Sequence, residues 1–246
     1  VIAAAPKLKI AVRAGAGYDN LDLNACTAAN VVAMNTPGQN SNAVAELAFG
    51  MMVYGARGGF DGKAGSELMG KTLGLHAFGA VGRCMARIAS GFGMKVCAFD
   101  PFIDGKIIEE AGVTPVATIE DLYSGCQYVS LHIPANEQTK GSIGEKLLSL
   151  MPQGAVLINT ARKEVINEAE LVAMMEKRGD LKYLSDVTPD NAELFAQKFA
   201  GRYFFTPKKM GAQTAEANIN AGVAAARQIV SFFATGDQTF RVNKPK

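Results

Sequence analysis

The sequence predicts an α/β fold built on a doubly wound parallel sheet. Short apolar runs rich in β-branched and aromatic residues alternate with amphipathic helical stretches along most of the 246 residues. These runs are nearly continuous in apolar residues, which is typical of strands covered by helices on both faces. A glycine-rich turn also joins one predicted strand to the next predicted helix. At this length the chain can form one large domain or two small ones.

The predicted strands are eight short runs at residues 9–12, 31–34, 72–76, 95–99, 128–132, 155–159, 183–185 and 203–205. Helical spacing of apolar residues predicts helices at 43–54, 81–92, 168–177 and 214–234. Two proline-containing segments, 35–38 and 206–207, interrupt this pattern and are predicted to be hinges. The chain is therefore expected to leave a first lobe near Thr36 and to return to it after Pro207.

Charge and hydropathy exclude several classes of protein. The formal net charge is +2 without a clustered run of Lys or Arg, which argues against a nucleic-acid partner. No apolar run approaches the roughly 18 residues of a membrane helix, so no membrane partner is expected. Residues 1–6 do not resemble a signal peptide. The chain begins without Met and in the middle of a pattern, so we expect that a further N-terminal piece precedes it.

The four cysteines are scattered along the chain rather than paired in metal-binding spacing. Cys26, Cys84, Cys97 and Cys126 form no C-x-x-C pair. Thiols in such positions are typical of reduced residues in a cytoplasmic protein. The sequence therefore predicts a cytoplasmic location and no metal site.

The glycine-rich turn at residues 77–82 has the pattern G-x-G-x-x-G with alanine in the first place. Gly79 would let the backbone approach a pyrophosphate, and Gly82 would let the following helix pack closely on the strand. The helix N-terminus, at Ala80 and Val81, would supply N–H donors and the positive end of a dipole. Ala77 is expected to make the tight turn with a negative φ. The pattern predicts a Rossmann dinucleotide site.

Asp100 ends the next predicted strand, eighteen residues after Gly82. A carboxylate there can accept hydrogen bonds from a ribose 2′-hydroxyl and would repel a 2′-phosphate, which favours NAD over NADP. The alternative interpretation is a glycine-rich turn followed by a helix-capping aspartate.

Seven motifs now follow one another in a fixed order: RAGAGYDN at 13–20, NTPG at 35–38, AEL at 45–47, DP at 100–101, LHIP at 131–134, NTAR at 159–162 and TP at 206–207. As a set they resemble the D-isomer-specific 2-hydroxyacid dehydrogenases, over nearly the whole chain. The resemblance implies an NAD-binding Rossmann domain at 36–207 and a flavodoxin-like substrate domain. That second domain would be represented by 1–35, without its N-terminal part, and by the returning segment 208–246.

The resemblance also implies a homodimer formed through the cofactor lobe. The apolar helix predicted at 43–54, with Met51, Met52 and Val53, is the candidate surface, and burial in the core explains its composition nearly as well.

Site residues follow by the same resemblance. Arg162 would hold the substrate carboxylate and polarise its carbonyl, because a guanidinium binds a planar 2-oxoacid in bidentate fashion. Backbone N–H groups of one small-residue loop would bind the same carboxylate: Ala14, Gly15, Ala16 and Gly17. Further residues are expected to line the cofactor: Gly79, Ala80, Val81, Gly82, Asp100, His132, Pro134, Thr139, Thr160, Ala161 and Asp186. For His132, a buried histidine behind the site is an equal alternative.

Two positions depart from the family pattern. Most members have an acid/base histidine after the T-P motif, oriented by a glutamate, and here these positions are Lys208 and Asn191. The two changes fit together, because an imidazole needs a carboxylate to fix its tautomer and a lysine amine does not. Lys208 is therefore predicted to be the acid/base residue.

The resemblance implies hydride transfer between NAD and a small 2-hydroxyacid. It is greatest to members that oxidise D-3-phosphoglycerate to 3-phosphohydroxypyruvate in serine biosynthesis. Two alternatives stay open: another 2-hydroxyacid dehydrogenase, such as a glyoxylate or hydroxypyruvate reductase, or an NAD-binding relative without activity.

Overall fold

A computed structural model describes residues 1–243 and divides the chain into two compact units. The smaller unit combines Val1–Ala43 with the segment that begins at Ala212, and the larger unit is Val44–Gly211. The domain boundaries predicted at residues 35 and 207 stay predictions.

The smaller unit starts with a strand, a helix and a second strand. β1 (Ile10–Arg13) pairs in parallel with β2 (Val32–Asn35), and α1 (Leu23–Ala28) connects them. Asp22 caps α1 by accepting a hydrogen bond from the N–H of Ala25. The chain then enters α2 (Ser41–Ala56), which leads into the larger unit.

The larger unit is built on a seven-stranded parallel sheet. Its strands, in chain order, are β3 (Thr72–His76), β4 (Lys95–Phe99), β5 (Thr114–Pro115), β6 (Tyr128–Leu131), β7 (Val156–Asn159), β8 (Lys182–Ser185) and β9 (Tyr203–Phe205). The helices between them are α3 (Ala80–Gly91), α4 (Gly105–Glu110), α5 (Ile119–Gly125), α6 (Glu145–Leu148), α7 (Glu168–Lys177) and α8 (Ala192–Lys198). β6 and β7 are buried throughout, as strands inside a helix-covered sheet are.

The strand order is β5-β4-β3-β6-β7-β8-β9. The chain winds outward from β3 through β4 to β5, then crosses to the other side of β3 and winds outward again from β6. The point between β3 and β6 is therefore a topological switch point, where the connections leave the carboxyl ends of two neighbouring strands in opposite directions. Open α/β sheets bind ligands in the crevice formed there.

The segment after Ala212 contributes α9 (Ala215–Thr235) to the smaller unit. Two amide side chains of this segment fasten it to β2. Gln228 donates to the carbonyl oxygen of Asn35 at 3.0 Å, and Asn243 accepts from the N–H of Ala33 at 2.9 Å.

The predicted α/β fold with a doubly wound parallel sheet is confirmed. The strands predicted at 72–76, 95–99 and 203–205 have the predicted ends, and the helix predicted at 168–177 is α7. β5 was not predicted, because two residues at a sheet edge carry no periodic signal. No helix among residues 1–243 combines the length and apolar character needed to cross a membrane.

The apolar composition of α2 comes from the core of the larger unit. Met51 is 2% exposed and Met52 is fully buried. Expecting these two side chains on a dimer surface was therefore wrong, since they pack inside their own chain. The homodimer itself stays a prediction.

Candidate functional site

The glycine-rich turn leaves the N-terminus of α3 open. Gly79 is the N-cap residue, no side chain caps the helix, and a Cβ at Gly79 would meet no atom within 4 Å. A Cβ at Gly82 would lie only 2.5 Å from the carbonyl oxygen of Ala77, so Gly82 is required for close packing of helix on strand. The first N–H groups of α3 are thus presented toward the switch point, as an anion site requires.

Ala77 adopts a φ of +85°, in the left-handed region. The expected negative φ is therefore wrong. The turn demands the conformation that a glycine would take there, because the Ala77 carbonyl must pass over Gly82 and its N–H must donate to the carbonyl oxygen of Phe99 at 2.9 Å. A side chain in this region is strained by about 1 to 2 kcal/mol.

The carboxylate of Asp100 lies at the carboxyl end of β4 and fastens the turn to that strand. One oxygen accepts from the N–H of Phe78 and the other from the N–H of Phe102, both at 2.9 Å. The helix-capping alternative does not hold, because the cap of α4 is Asp104, which accepts from the N–H of Lys106. Asp100 thus stands beside the glycine-rich turn, where the ribose prediction needs it.

Two histidines end the neighbouring strands β3 and β6. The N–H of His132 donates to the carbonyl oxygen of His76 at 3.0 Å, and the His76 ring lies 3.4 Å from the hydroxyl of Tyr123. Burial lowers the pKa of His76 to about 4 and that of His132 to about 3. Both imidazoles are therefore neutral at physiological pH, which makes an acid/base role at neutral pH unsuitable for either.

Beyond β6 the chain forms a tight loop that includes two predicted cofactor residues. The Thr139 hydroxyl donates to the carbonyl oxygen of Pro134 at 2.6 Å and accepts from the N–H of Asn136 at 2.9 Å. The Thr139 side chain thus fixes the loop that Pro134 begins.

The turn after β7 carries Arg162 and is organised by Asn159. The buried amide of Asn159 accepts from the N–H of Ala161 at 2.9 Å and donates to the carbonyl oxygen of Arg162 at 3.0 Å. Among the described residues, the buried hydroxyl of Thr160 has no hydrogen-bond partner. The role of Asn159 was not predicted, although its position at the end of a buried strand was a usable signal.

The segment after β9 carries two lysines and is held by Asp186. The Asp186 carboxylate accepts from the Thr206 hydroxyl at 2.9 Å and from the N–H groups of Met210 and Gly211, each at 2.8 Å. These contacts were not predicted, since Asp186 and its partners are 20 to 25 residues apart in sequence.

Lys209 connects the segment after β9 to the turn that carries Arg162. Its ammonium group donates to the carbonyl oxygen of Ala161 at 3.1 Å, and the Arg162 guanidinium donates to the same oxygen at 3.0 Å. Lys208, the predicted acid/base residue, lies exposed beside Lys209. Asn191 begins α8, and its N–H donates to Glu168 at 2.7 Å.

In the smaller unit, the predicted substrate loop is held by Thr36. The N–H of Gly15 donates to the Thr36 hydroxyl at 2.6 Å, and the N–H of Thr36 donates to the carbonyl oxygen of Gly15 at 3.0 Å. Gly15 has a φ of +146°, and a Cβ there would collide with the Arg13 guanidinium. The Gly15 N–H is therefore already used within the smaller unit, and the carboxylate contacts predicted for Ala14, Gly15, Ala16 and Gly17 stay predictions.

Within the part of the chain that the structure describes, no three His, Cys, Asp or Glu side chains are grouped as metal ligands. The four cysteines are free thiols, of which Cys26 and Cys126 are buried.

Comparison with known protein families identifies the family of this chain. Residues 51–198 match the NAD binding domain of D-isomer specific 2-hydroxyacid dehydrogenases. The chain belongs to this family. The predicted cofactor residues and Arg162 lie within the matched range. Lys208 and Lys209 lie beyond it.

Three relatives illustrate the range of this 2-hydroxyacid dehydrogenase family. D-3-phosphoglycerate dehydrogenase of Methanocaldococcus jannaschii is 34% identical over 93% of this chain, which spans 46% of that protein. Hydroxypyruvate reductase of Thermotoga maritima is 33% identical over 93% of this chain and 79% of its own length. The crystal structure of NAD⁺-bound 3-phosphoglycerate dehydrogenase from Entamoeba histolytica is 50% identical, with a TM-score of 0.90, over 99% of this chain and 78% of that one.

The residues of the larger unit fit NAD, which confirms the predicted cofactor. The open N-terminus of α3 suits the pyrophosphate, the Asp100 carboxylate suits a ribose hydroxyl, and the unpartnered Thr160 hydroxyl offers one further polar contact among the described residues. The individual contacts predicted for these residues stay predictions.

Proposed function

We propose that this protein catalyses the reversible NAD-dependent oxidation of D-3-phosphoglycerate to 3-phosphohydroxypyruvate. The observation that carries the proposal is the 3.1 Å bond from Lys209 to the carbonyl oxygen of Ala161. This bond places the segment after β9, with Lys208, against the turn that carries Arg162. It supports the proposal, in which Arg162 supplies the cation for the substrate carboxylate and Lys208 supplies the amine for proton transfer.

The proposed chemistry divides between these side chains. Arg162 binds the carboxylate of the 2-hydroxyacid and polarises the carbonyl of the oxoacid. Lys208 accepts the hydroxyl proton during oxidation and returns it during reduction. NAD, when bound, accepts the hydride from C2 of the hydroxyacid. Asp100 holds the adenosine ribose, and Gly79 with Gly82 leaves room for the pyrophosphate.

Support for the phosphorylated substrate comes from the relatives and from charge. Proteins named for 3-phosphoglycerate are 50% identical in structure comparison and 34% identical among curated sequences. The three cationic side chains Lys208, Lys209 and Arg162 on these segments suit a substrate with a carboxylate and a phosphate. The hydroxypyruvate reductase relative, at 33% identity, supports the alternative of an unphosphorylated substrate.

The deciding experiment measures NADH absorbance with the full-length protein and a panel of D-2-hydroxyacids and 2-oxoacids. We expect kcat/KM for 3-phosphohydroxypyruvate to exceed that for hydroxypyruvate and glyoxylate by at least about tenfold. A preference for the unphosphorylated oxoacids would select the alternative dehydrogenase. NAD binding without turnover of any member of the panel would identify a relative that has lost catalysis, for which the absent histidine and glutamate already provide an argument.

We also propose that the protein acts as a homodimer. The support is the family resemblance alone, because α2 is explained by the core of the larger unit. Light scattering of the full-length protein at micromolar concentration tests this, and a monomer mass would refute it.

A further inference from the structure

The carboxylate of Asp186 is the main anchor of the segment that carries Lys208. Asp186 follows β8, is fully buried, and receives three hydrogen bonds from the Thr206 hydroxyl and from the N–H groups of Met210 and Gly211. The three donors lie on both sides of Lys208. Both ends of a short exposed segment are therefore fixed to one buried charge.

The contact between the segment and the Asp186 carboxylate requires glycine at position 211. A Cβ at Gly211 would lie 2.9 Å from the Oδ2 atom of Asp186, closer than real Cβ contacts. Any other residue at 211 would push the segment away from the carboxylate, so Gly211 and Asp186 act as one unit.

The backbone of Asp186 is fixed as firmly as its side chain. Its N–H donates to the carbonyl oxygen of Asn159 at 2.9 Å, and its carbonyl oxygen lies 3.1 Å from the Thr206 hydroxyl, whose one proton it shares with the carboxylate. Asn159 in turn organises the Arg162 turn through its amide. Asp186 therefore connects the turn that carries Arg162 with the segment that carries Lys208.

We propose that Asp186 is a positioning residue for proton transfer, which sets the place of the Lys208 amine relative to the Arg162 turn. This inference rests on the proposed function of Lys208. A carboxylate offers about four acceptor sites, and three of those of Asp186 are already used inside the protein. Its main task is thus to hold the segment, in addition to the cofactor contact predicted from the family resemblance.

A carboxylate is required for this task because donors approach both of its oxygens. Oδ1 accepts from Thr206 and Met210, and Oδ2 accepts from Gly211. In Asp186→Asn the amide nitrogen must face a donor in either orientation, so at least one of these bonds is lost.

The test compares Asp186→Asn and Gly211→Ala with Asp180→Asn in the full-length protein. Asp180 serves as a control because it precedes β8 at the opposite end of the same strand and pairs with Arg178 at 2.6 Å. We expect Asp186→Asn and Gly211→Ala to lower kcat by at least about tenfold. The Kd of NAD should change by less than about threefold in Gly211→Ala, which keeps the carboxylate, and by a smaller factor than kcat in Asp186→Asn. Asp180→Asn should leave kcat unchanged. Gly211→Ala keeps the test open if Asp186→Asn fails to fold, since it leaves the buried carboxylate in place.

A double-mutant cycle separates positioning from a general structural effect. If Asp186 acts through Lys208, Asp186→Asn should change the residual kcat by less than about twofold in a Lys208→Ala background. Full additivity of the two losses would overturn the inference while leaving the role of Lys208 intact. An increase of more than about tenfold in the Kd of NAD with unchanged kcat would also overturn it, in favour of a cofactor contact alone. If Lys208→Ala itself kept normal turnover, the proposed function of Lys208 and this inference would both fail.

Discussion

The Arg162 guanidinium and the Lys209 ammonium donate to one acceptor, the carbonyl oxygen of Ala161, at 3.0 and 3.1 Å. Two positive charges are thereby held side by side at the carboxyl edge of the sheet. An anionic substrate bound at this edge would be attracted by both charges. We therefore predict a substrate-binding role for Lys209, separate from the proton transfer proposed for its neighbour Lys208.

The first prediction separates the two lysines. Lys209→Met removes one charge from the anion site but leaves the proton-transfer amine, so we expect KM for the oxoacid to rise about tenfold with kcat reduced less than about threefold. Steady-state kinetics with saturating NADH measure both constants. Lys198→Met is the control, since Lys198 is an ion-paired lysine on α8, and it should change neither. A large loss of kcat in Lys209→Met would transfer the acid/base role to Lys209.

The second prediction concerns the choice of cofactor. Asp100→Ala removes the charge that would repel a 2′-phosphate, so the preference for NAD over NADP should shrink by at least about tenfold. It also removes the acceptor for the N–H of Phe78, so the affinity for NAD should fall as well. Fluorescence titration with both nucleotides measures this. Asp104→Ala, which removes only the cap of α4, should leave the preference for NAD unchanged. An unchanged preference in Asp100→Ala would contradict the predicted contact between Asp100 and the ribose.

Much of this site was predictable because a parallel sheet collects the carboxyl ends of its strands at one edge. Apolar runs predict the strands that end at His76 and Phe99, and the residues that follow these strands are then expected to lie close together. The motif order then assigned Arg162 and Lys208 by resemblance. Local sequence is sufficient to place a site residue that lies at the carboxyl end of a predicted strand.

What could not be predicted depends on contacts between distant segments. The three donors to Asp186 come from residues that follow a different strand, and no local pattern records which N–H groups will face a carboxylate. Ala77 shows a similar limit, since its intrinsic preference for a negative φ is overridden by the packing of Gly82 beneath its carbonyl.

The third prediction follows from that strained alanine. Ala77→Gly relieves a left-handed φ of +85°, so it should raise the free energy of unfolding, by about 0.5 to 1 kcal/mol after the greater flexibility of the unfolded chain is allowed for. Ala169→Gly, at an exposed position in α7, should instead lower it by about 1 kcal/mol. Urea denaturation measures both. If Ala77→Gly destabilised the protein as much as Ala169→Gly, the left-handed conformation would be excluded.

The fourth prediction concerns acid. Burial lowers the pKa of His76 from 6.5 to about 4 and that of His132 to about 3. As the pH falls, these histidines therefore bind protons at a higher pH in the unfolded chain than in the folded protein. Their contribution to stability is therefore complete above pH 6.5 and is lost progressively between pH 6.5 and about 3. At pH 5 the loss amounts to at most about 2 kcal/mol for each histidine. Urea denaturation at pH 7.5 and pH 5 should show a smaller difference for His76→Gln/His132→Gln than for the unaltered protein, and equal differences would contradict the burial of neutral imidazoles.

The last prediction tests Lys208 itself. A lysine amine at this position would accept the hydroxyl proton during oxidation and return it during reduction, so its removal should slow both directions. Lys208→Ala should lower turnover by about 10²- to 10⁴-fold while NAD affinity stays within about threefold. Lys208→His should not restore full activity, because Asn191 provides no carboxylate to orient the ring. Steady-state kinetics in both directions, with NAD titration as the control for folding, test this prediction. If Lys208→Ala retained more than about a tenth of normal turnover, proton transfer would have to be assigned to another group.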